Sequence, residues 1–288
     1  MQKAYITALT GGLGNQMFQY AMGRALAERH GAPLLLDVRG LQHDALRSYA
    51  LSHFRISAEL ASEADMPREL GRLGRRLHRL PRWLTGQTRI VEQGFPFDPT
   101  ILDLSPPLHL SGNWQSDRYF SSYADIIRGE FQLREAFTPD RQAIADLLTE
   151  RPMISVHVRR GDYVSNATTN AYHGTCEPEW YDAARQRLAQ QLGNAEYMVF
   201  SDDPDWARAN LKDFSSAVFV EPKDDGRDEQ DMHLMALCHH HIIANSSFSW
   251  WGAWLNPKPG KEVIAPLNWF RSAQHDTRDL IPANWTRL

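Results

Sequence analysis

Cysteine is scarce: Cys176 and Cys238 are the only two in 288 residues, which excludes a disulfide scaffold and fits a reducing, cytoplasmic setting. Long apolar runs are missing as well; none approaches the roughly 18 consecutive residues of a membrane span. The N-terminal run meets glycine at Gly11, too soon for a secretory signal. Nor is there an excess of charge of one sign. The chain has 31 Lys and Arg against 35 Asp and Glu, a net charge of −4, so no global field draws it to nucleic acid and no such partner is expected. There is no internal repeat or low-complexity tract. What remains is an ordinary soluble composition, 42% hydrophobic and 23% charged, with length enough for two domains.

The pattern of elements points to the α/β class. Residues 4–9 form a short apolar run suited to a buried strand, and the glycine-rich stretch 11–16 breaks it. Helical spacing then runs from Met17 to His30, and Leu34-Leu35-Leu36-Asp37 follows as a second strand, a βαβ unit with a parallel sheet. A basic segment, 68–82, places Leu70, Leu73, Leu77 and Leu80 at helical spacing among six arginines. It admits two readings, a solvated amphipathic helix or a peripheral contact with an anionic membrane surface. Prolines at 96, 99, 106 and 107 mark loops before a short strand at 108–110. A helix over 139–150 leads to a strand at 153–158, and the domain boundary is placed near residue 150. Beyond it, strands at 197–201, 217–220 and 241–244 alternate with helices near 178–192, 204–211, 230–238 and 249–255.

Four segments carry candidate chemistry. Gly11-Gly12-Leu13-Gly14-Asn15-Gln16 lies where strand meets helix, so backbone amides there can approach an anion or a sugar; a tight turn with no ligand would look the same. It lacks the third glycine of a dinucleotide loop and the Lys-Ser/Thr of a P-loop. His157-Val158-Arg159-Arg160-Gly161-Asp162-Tyr163 follows the carboxyl end of a strand, where open α/β sheets bind ligands, and paired arginines offer forked donors to phosphate. Asp202 and Asp203 end another strand and either face the ligand or cap the next helix. Asn245-Ser246-Ser247-Phe248 opens a helix whose hydroxyls and amides suit a diphosphate or a plain N-cap. Cys238 with His239, His240 and His241 suggests zinc, but consecutive residues point in different directions, so no metal is expected.

In order, these segments resemble the α1,2-fucosyltransferases of glycosyltransferase family eleven. The further stretch Gly112-Asn113-Trp114-Gln115-Ser116-Asp117-Arg118-Tyr119-Phe120 looks like an aromatic-Gln-Ser segment of its bacterial members, with Asn113 where tyrosine is usual. The resemblance implies a GT-B fold, two Rossmann-like domains facing a central cleft. Residues 1–150 would be the acceptor side and 151–288 the donor-binding domain. It implies GDP-β-L-fucose as donor substrate, a galactose-terminated glycan accepting at its 2-hydroxyl, inversion, and neither cofactor nor metal. Arg159 would contact the diphosphate with Arg160 beside it, and His157 would lie near the nucleoside. Ser246, Ser247 and Phe248 match a phosphate-contacting segment, and Asp231 matches an acid near guanine. Asp202 joins the donor set, and Gly12, Gly14, Asn15 and Gln16 would close the site from the other domain. No general base carries over; Asp162 is the candidate, followed by His173 and Glu177. The alternatives are another GDP-fucose-dependent transferase and a non-catalytic homologue.

Overall fold

The computed structural model describes residues 3–44, 47–66, 89–223, 225–272 and 274–288; the basic segment 68–82 lies outside the described residues. Among them no helix is long and apolar enough to cross a membrane. The chain divides into two compact units, Met1–Gln132 with Arg278–Leu280, and Leu133–Thr277 with Ile281–Leu288. The division therefore falls before, not after, the helix at 139–150. That helix belongs to the second unit because its Ala145 and Leu148 share a core with Met153, Met198 and Phe200.

The first unit is built on a parallel sheet of strands β1 (Tyr5–Ala8), β2 (Leu34–Asp37), β3 (Glu59–Leu60), β4 (Arg89–Val91) and β5 (Leu108–Ser111), in the order β3-β2-β1-β5-β4. Helix α1 spans Leu13–His30, so it begins inside the glycine-rich stretch, earlier than the apolar spacing suggests. The reason is that its first turns bury polar residues: Gln16 and Gln19 are fully enclosed. The helix lies close on the sheet at Gly23, where a Cβ would stand 2.2 Å from Thr7 Oγ1. It stops at Gly31, left-handed at φ 59°, whose N–H closes the last turn. A short helix α2 (Ala124–Glu130) contributes Glu130, which receives the Tyr20 hydroxyl and the Arg24 guanidinium of α1.

The second unit holds helix α3 (Pro139–Glu150) and a sheet of β6 (Met153–Val158), β7 (Glu196–Ser201), β8 (Val218–Val220), β9 (His240–Ile242), β10 (Val263–Ala265) and β11 (Thr286–Arg287). Its order is β11-β10-β9-β6-β7-β8, again parallel. Helices α4 (Gly161–Ser165), α5 (Ala167–His173), α6 (Pro178–Leu192), α7 (Pro204–Asn210), α8 (Asp228–Leu237) and α9 (Ser247–Leu255) connect them. Every residue of β6 is buried, as a strand covered on both faces requires. Ile154, Val156 and Val158 face Tyr181, Ala184 and Leu188 of α6, while Met153 faces the core shared by α3 and α8. The parallel register brings the ends of β6 and β7 together, Val158 opposite Ser201. That pairing positions the arginine segment beside the aspartates that follow β7.

Candidate functional site

In the first unit, the carboxyl end of β1 and that of its neighbour β5 are tied together through α1. Gln19 donates to Thr10 Oγ1 (3.0 Å) and to the Gly112 carbonyl (3.1 Å) and accepts from the Thr10 amide (2.9 Å). Gln16, one turn earlier, donates to the carbonyls of Gly11 (2.9 Å) and Ser48 (2.8 Å) and accepts from the Ala50 amide (3.0 Å). Gln16, expected with its neighbours to close the site, has its carboxamide occupied by backbone and shapes the glycine loop from behind. Gly11 adopts φ +74°, and a Cβ there would meet Asn15 Nδ2 at 2.7 Å, so the loop requires glycine. Gly12 is the N-cap with no side-chain cap, and the first turn of α1 holds no acid to offset the partial positive charge of its amides. Arg47 brings its guanidinium to 3.9 Å from where a Gly12 Cβ would lie; no motif signalled this residue in the sequence.

The loop after β5 is under local strain. Trp114, a non-glycine residue, has φ 54°, a conformation that costs about 1–3 kcal/mol. Glu92, at the end of β4, holds it there by accepting the amides of Asn113 (2.6 Å) and Trp114 (3.0 Å). Burial pushes the Glu92 carboxyl up, against the pull of those two amides. Gln115 then donates from Nε2 to Asn15 Oδ1 at 2.8 Å. Trp114 and Tyr119 are core residues: they are 1% and 3% exposed and pack edge to face on each other.

In the second unit, Asp202 organises the arginine segment. Its carboxylate takes the Arg159 guanidinium at 2.9 Å and the Arg160 backbone amide at 2.8 Å. Gly161 is glycine because a Cβ would lie 2.6 Å from Asp202 Oδ2. Arg159 also stands over the Tyr163 ring at 5.4 Å, and Tyr163 in turn stacks on His173 at 4.5 Å. The adjacent arginine goes elsewhere. Arg160 lies on the Trp206 ring, 3.7 Å from its centroid, with Nε 3.4 Å from Asp203, and Asp203 caps α7 by accepting the Trp206 amide. Of the two arginines predicted to serve one diphosphate, Arg159 therefore occupies the strand end and Arg160 fastens α7.

His157 lies in β6 beneath them, 6% exposed, with Phe248 at 5.7 Å and Nδ1 unpartnered among the described residues. Burial, then the Arg159 charge, pushes it down to about 3, so it is neutral at physiological pH. Ser246 caps α9, accepting the Phe248 amide at 3.3 Å, and Asn245 donates to the carbonyls of His173, Gly174 and Trp269. The segment 245–248 thus joins helix capping to a clamp on the loop after α5.

The whole chain, residues 1–288, matches Glycosyl transferase family 11. The chain belongs to that family. Among the relatives of this glycosyltransferase is an Escherichia coli alpha-1,2-colitosyltransferase, 33% identical, with 98% of each chain covered. The O-antigen biosynthesis glycosyltransferase WbnK of Escherichia coli is 29% identical, covering 98% of this chain and 99% of WbnK. Galactoside alpha-(1,2)-fucosyltransferase 1 of Saimiri sciureus is 27% identical over 85% of this chain and 63% of that protein. The crystal structure of POFUT1 in complex with GDP covers 92% of this chain and 98% of that one, with TM-score 0.50 and 12% identity, a likeness of fold alone. The fold of this family 11 glycosyltransferase is α/β of the GT-B type, two Rossmann-like units.

The remaining predicted residues fall as follows. Asp231 on α8 pairs with buried Arg141 of α3, Nε to Oδ1 at 2.7 Å, and burial, opposed by that arginine, pushes its carboxyl up to about 6. Gly14 lies in the first turn of α1, and Ser247 opens α9. Asp162 sits in the first turn of α4; its side chain lies outside what the structure describes. Glu177 is the N-cap residue of α6 and its carboxylate accepts the Thr175 hydroxyl. The three histidines do not share one centre. His241 is buried with both ring nitrogens occupied, by Ser155 Oγ at 2.8 Å and Asn256 Nδ2 at 2.9 Å, and His240 Nδ1 accepts the Glu262 amide. Among the described residues no group of three His, Cys, Asp or Glu is placed to hold a metal ion.

Proposed function

We propose that this glycosyltransferase moves L-fucose from GDP-β-L-fucose to the 2-hydroxyl of a terminal galactose, with inversion, giving an α1,2-fucosylated glycan. The observation that carries the reading is Arg159 at the carboxyl end of β6, held by Asp202 and Tyr163. In the reaction the acceptor oxygen forms a bond to the anomeric carbon, the bond to the β-phosphate oxygen breaks, and GDP leaves with both electrons. Arg159 meets the charge that builds on that oxygen, where a guanidinium stabilises the transition state more than the ground state. The second unit is the donor side: His157, neutral and apolar in its surroundings, and Phe248 border the nucleoside, Ser246 and Ser247 the phosphates, and Asp231 the guanine. The first unit, through Gly12, Gly14 and Asn15, serves the acceptor side. Asp162 takes the proton of the 2-hydroxyl. Asp162→Asn then lowers kcat while leaving both KM values near wild type; an unchanged kcat removes it as the base.

A second reading has its own support in the 33% identity to an alpha-1,2-colitosyltransferase across 98% of each chain. Colitose is fucose without its 3-hydroxyl, so the two donors share every feature discussed above. Purified protein is offered GDP-fucose or GDP-colitose with a panel of galactosides, with and without EDTA. GDP release is followed, and products are resolved by mass spectrometry and NMR. An α1,2-fucosylated product supports the first reading, selective use of the colitose donor supports the second, and GDP binding without turnover of either overturns both.

A further inference from the structure

We propose that Gln115 is a positioning residue: it orients the carboxamide of Asn15 so that Nδ2 is offered to a substrate oxygen over the glycine loop. The inference rests on the reading of that loop as part of a sugar-transfer site. Gln115 is 6% exposed and its Nε2 donates to Asn15 Oδ1 at 2.8 Å. With its oxygen held from one side, Asn15 turns its nitrogen over Gly11, 2.7 Å from where a Cβ would be. An NH₂ group has hydrogens for an acceptor only, and the partners it fits are hydroxyl or phosphate oxygens of a sugar nucleotide or sugar. The construction is costly in a way that mere packing does not explain. Trp114 is held at φ 54° by Glu92 to deliver the next residue, and Gln115 Oε1 is buried with no partner among the described residues. Such unfavourable features persist where surrounding structure over-determines them for a task. The output of the segment is the aim of Asn15, and Gln19, bonded to both Thr10 and Gly112, keeps the two loops in step.

The test is a double-mutant cycle of Asn15→Ala and Gln115→Met, with Gln115→Glu as the isosteric partner, assayed for fucose transfer. Gln115→Met is expected to lower kcat roughly 10- to 100-fold, the usual cost of misplacing a group by about 1 Å. Thermal melting should stay near wild type, and the double variant should be no slower than Asn15→Ala alone. Gln115→Glu, which can only accept, reverses the Asn15 amide and is expected to be as slow as Gln115→Met. Wild-type turnover in the Glu variant, or losses that multiply in the double variant, overturns the proposal. The change in KM tells which substrate supplies the oxygen: a rise for GDP-fucose points to the donor, a rise for the galactoside to the acceptor. A readout independent of turnover is the Asn15 side-chain amide in ¹⁵N spectra. It should move toward the position of free asparagine amides in Gln115→Met, and a fixed position overturns the proposal. If wild type transfers no sugar, the functional reading falls while this spectrum still decides the orientation.

Discussion

Gly161→Ala separates the placing of Arg159 from its presence. The added methyl would stand 2.6 Å from Asp202 Oδ2, where ordinary contact begins near 3.4 Å, so the carboxylate must retreat by about 0.8 Å. Its bonds to the Arg159 guanidinium, 2.9 Å, and to the Arg160 amide, 2.8 Å, cannot both survive that shift. The Arg159–Asp202 side chains are 25% and 27% exposed, so the ion pair contributes only about 0.5–1 kcal/mol. The amide bond to a charged acceptor contributes about 1.5–3 kcal/mol when intact and loses part of that when stretched. Alanine returns about 0.5–1 kcal/mol of backbone entropy at the start of α4. The net destabilisation is about 1–2 kcal/mol, a fall in Tm of roughly 2–8 °C. Catalysis suffers more, because an arginine released from its anchor meets the leaving diphosphate about 1 Å out of place, which costs up to roughly 100-fold in rate. Steady-state assays with GDP-fucose should show kcat/KM down about 10- to 100-fold in a protein that still melts cooperatively. Combining Gly161→Ala with Asp202→Ala removes the clash, so the double variant should match Asp202→Ala alone. Wild-type kcat/KM in Gly161→Ala would refute the claim that Asp202 positions Arg159.

Three further outcomes follow from the same contacts. Gln16→Ala leaves the carbonyls of Gly11 and Ser48 and the Ala50 amide without their side-chain partner. It should cost about 2–4 kcal/mol, read as a lower urea midpoint with an unchanged slope. Asp231 titrates near 6, and if it accepts from guanine as a carboxylate, proton and donor compete. GDP-fucose, whose diphosphate is a diester and does not titrate here, should then bind about tenfold more weakly at pH 5 than at pH 7. Calorimetry on Asp231→Asn should show a flat profile; a flat profile in wild type removes Asp231 from the guanine contact. If Arg159 and helix amides meet the leaving-group charge as proposed, transfer should be unchanged by EDTA; a rate lost to EDTA and restored by a divalent cation refutes that.

Seven of the strands were legible because their signal is local, whereas β3, β4, β10 and β11, two or three residues each, are too short to show a pattern of their own. The run of buried positions in β6 reads as a doubly covered strand without any tertiary knowledge, and the glycines after β1 announce a turn at its carboxyl end. What failed to register in the sequence depended on partners far along the chain. Helix α1 hides its start because Gln16 and Gln19, polar yet fully buried, interrupt the apolar spacing; their partners at 48, 50 and 112 are known only once the chain is folded. The domain boundary was displaced for the same reason. The core that claims Ala145 and Leu148 of α3 includes Met198 and Phe200, some fifty residues on, and Arg141 meets Asp231 some ninety residues on. Neither the return of residues 278–280 to the first unit nor the approach of Arg47 to Gly12 leaves a local mark. The arginine pair makes the limit plainest. Arg159 and Arg160 are adjacent and chemically identical, so motif spacing assigns them one role. What divides them is the pair of aspartates after β7, each claiming one guanidinium, and the Trp206 ring that lies under only the second. A charge cluster in sequence is therefore a statement about supply, and burial and pairing decide where each member is placed.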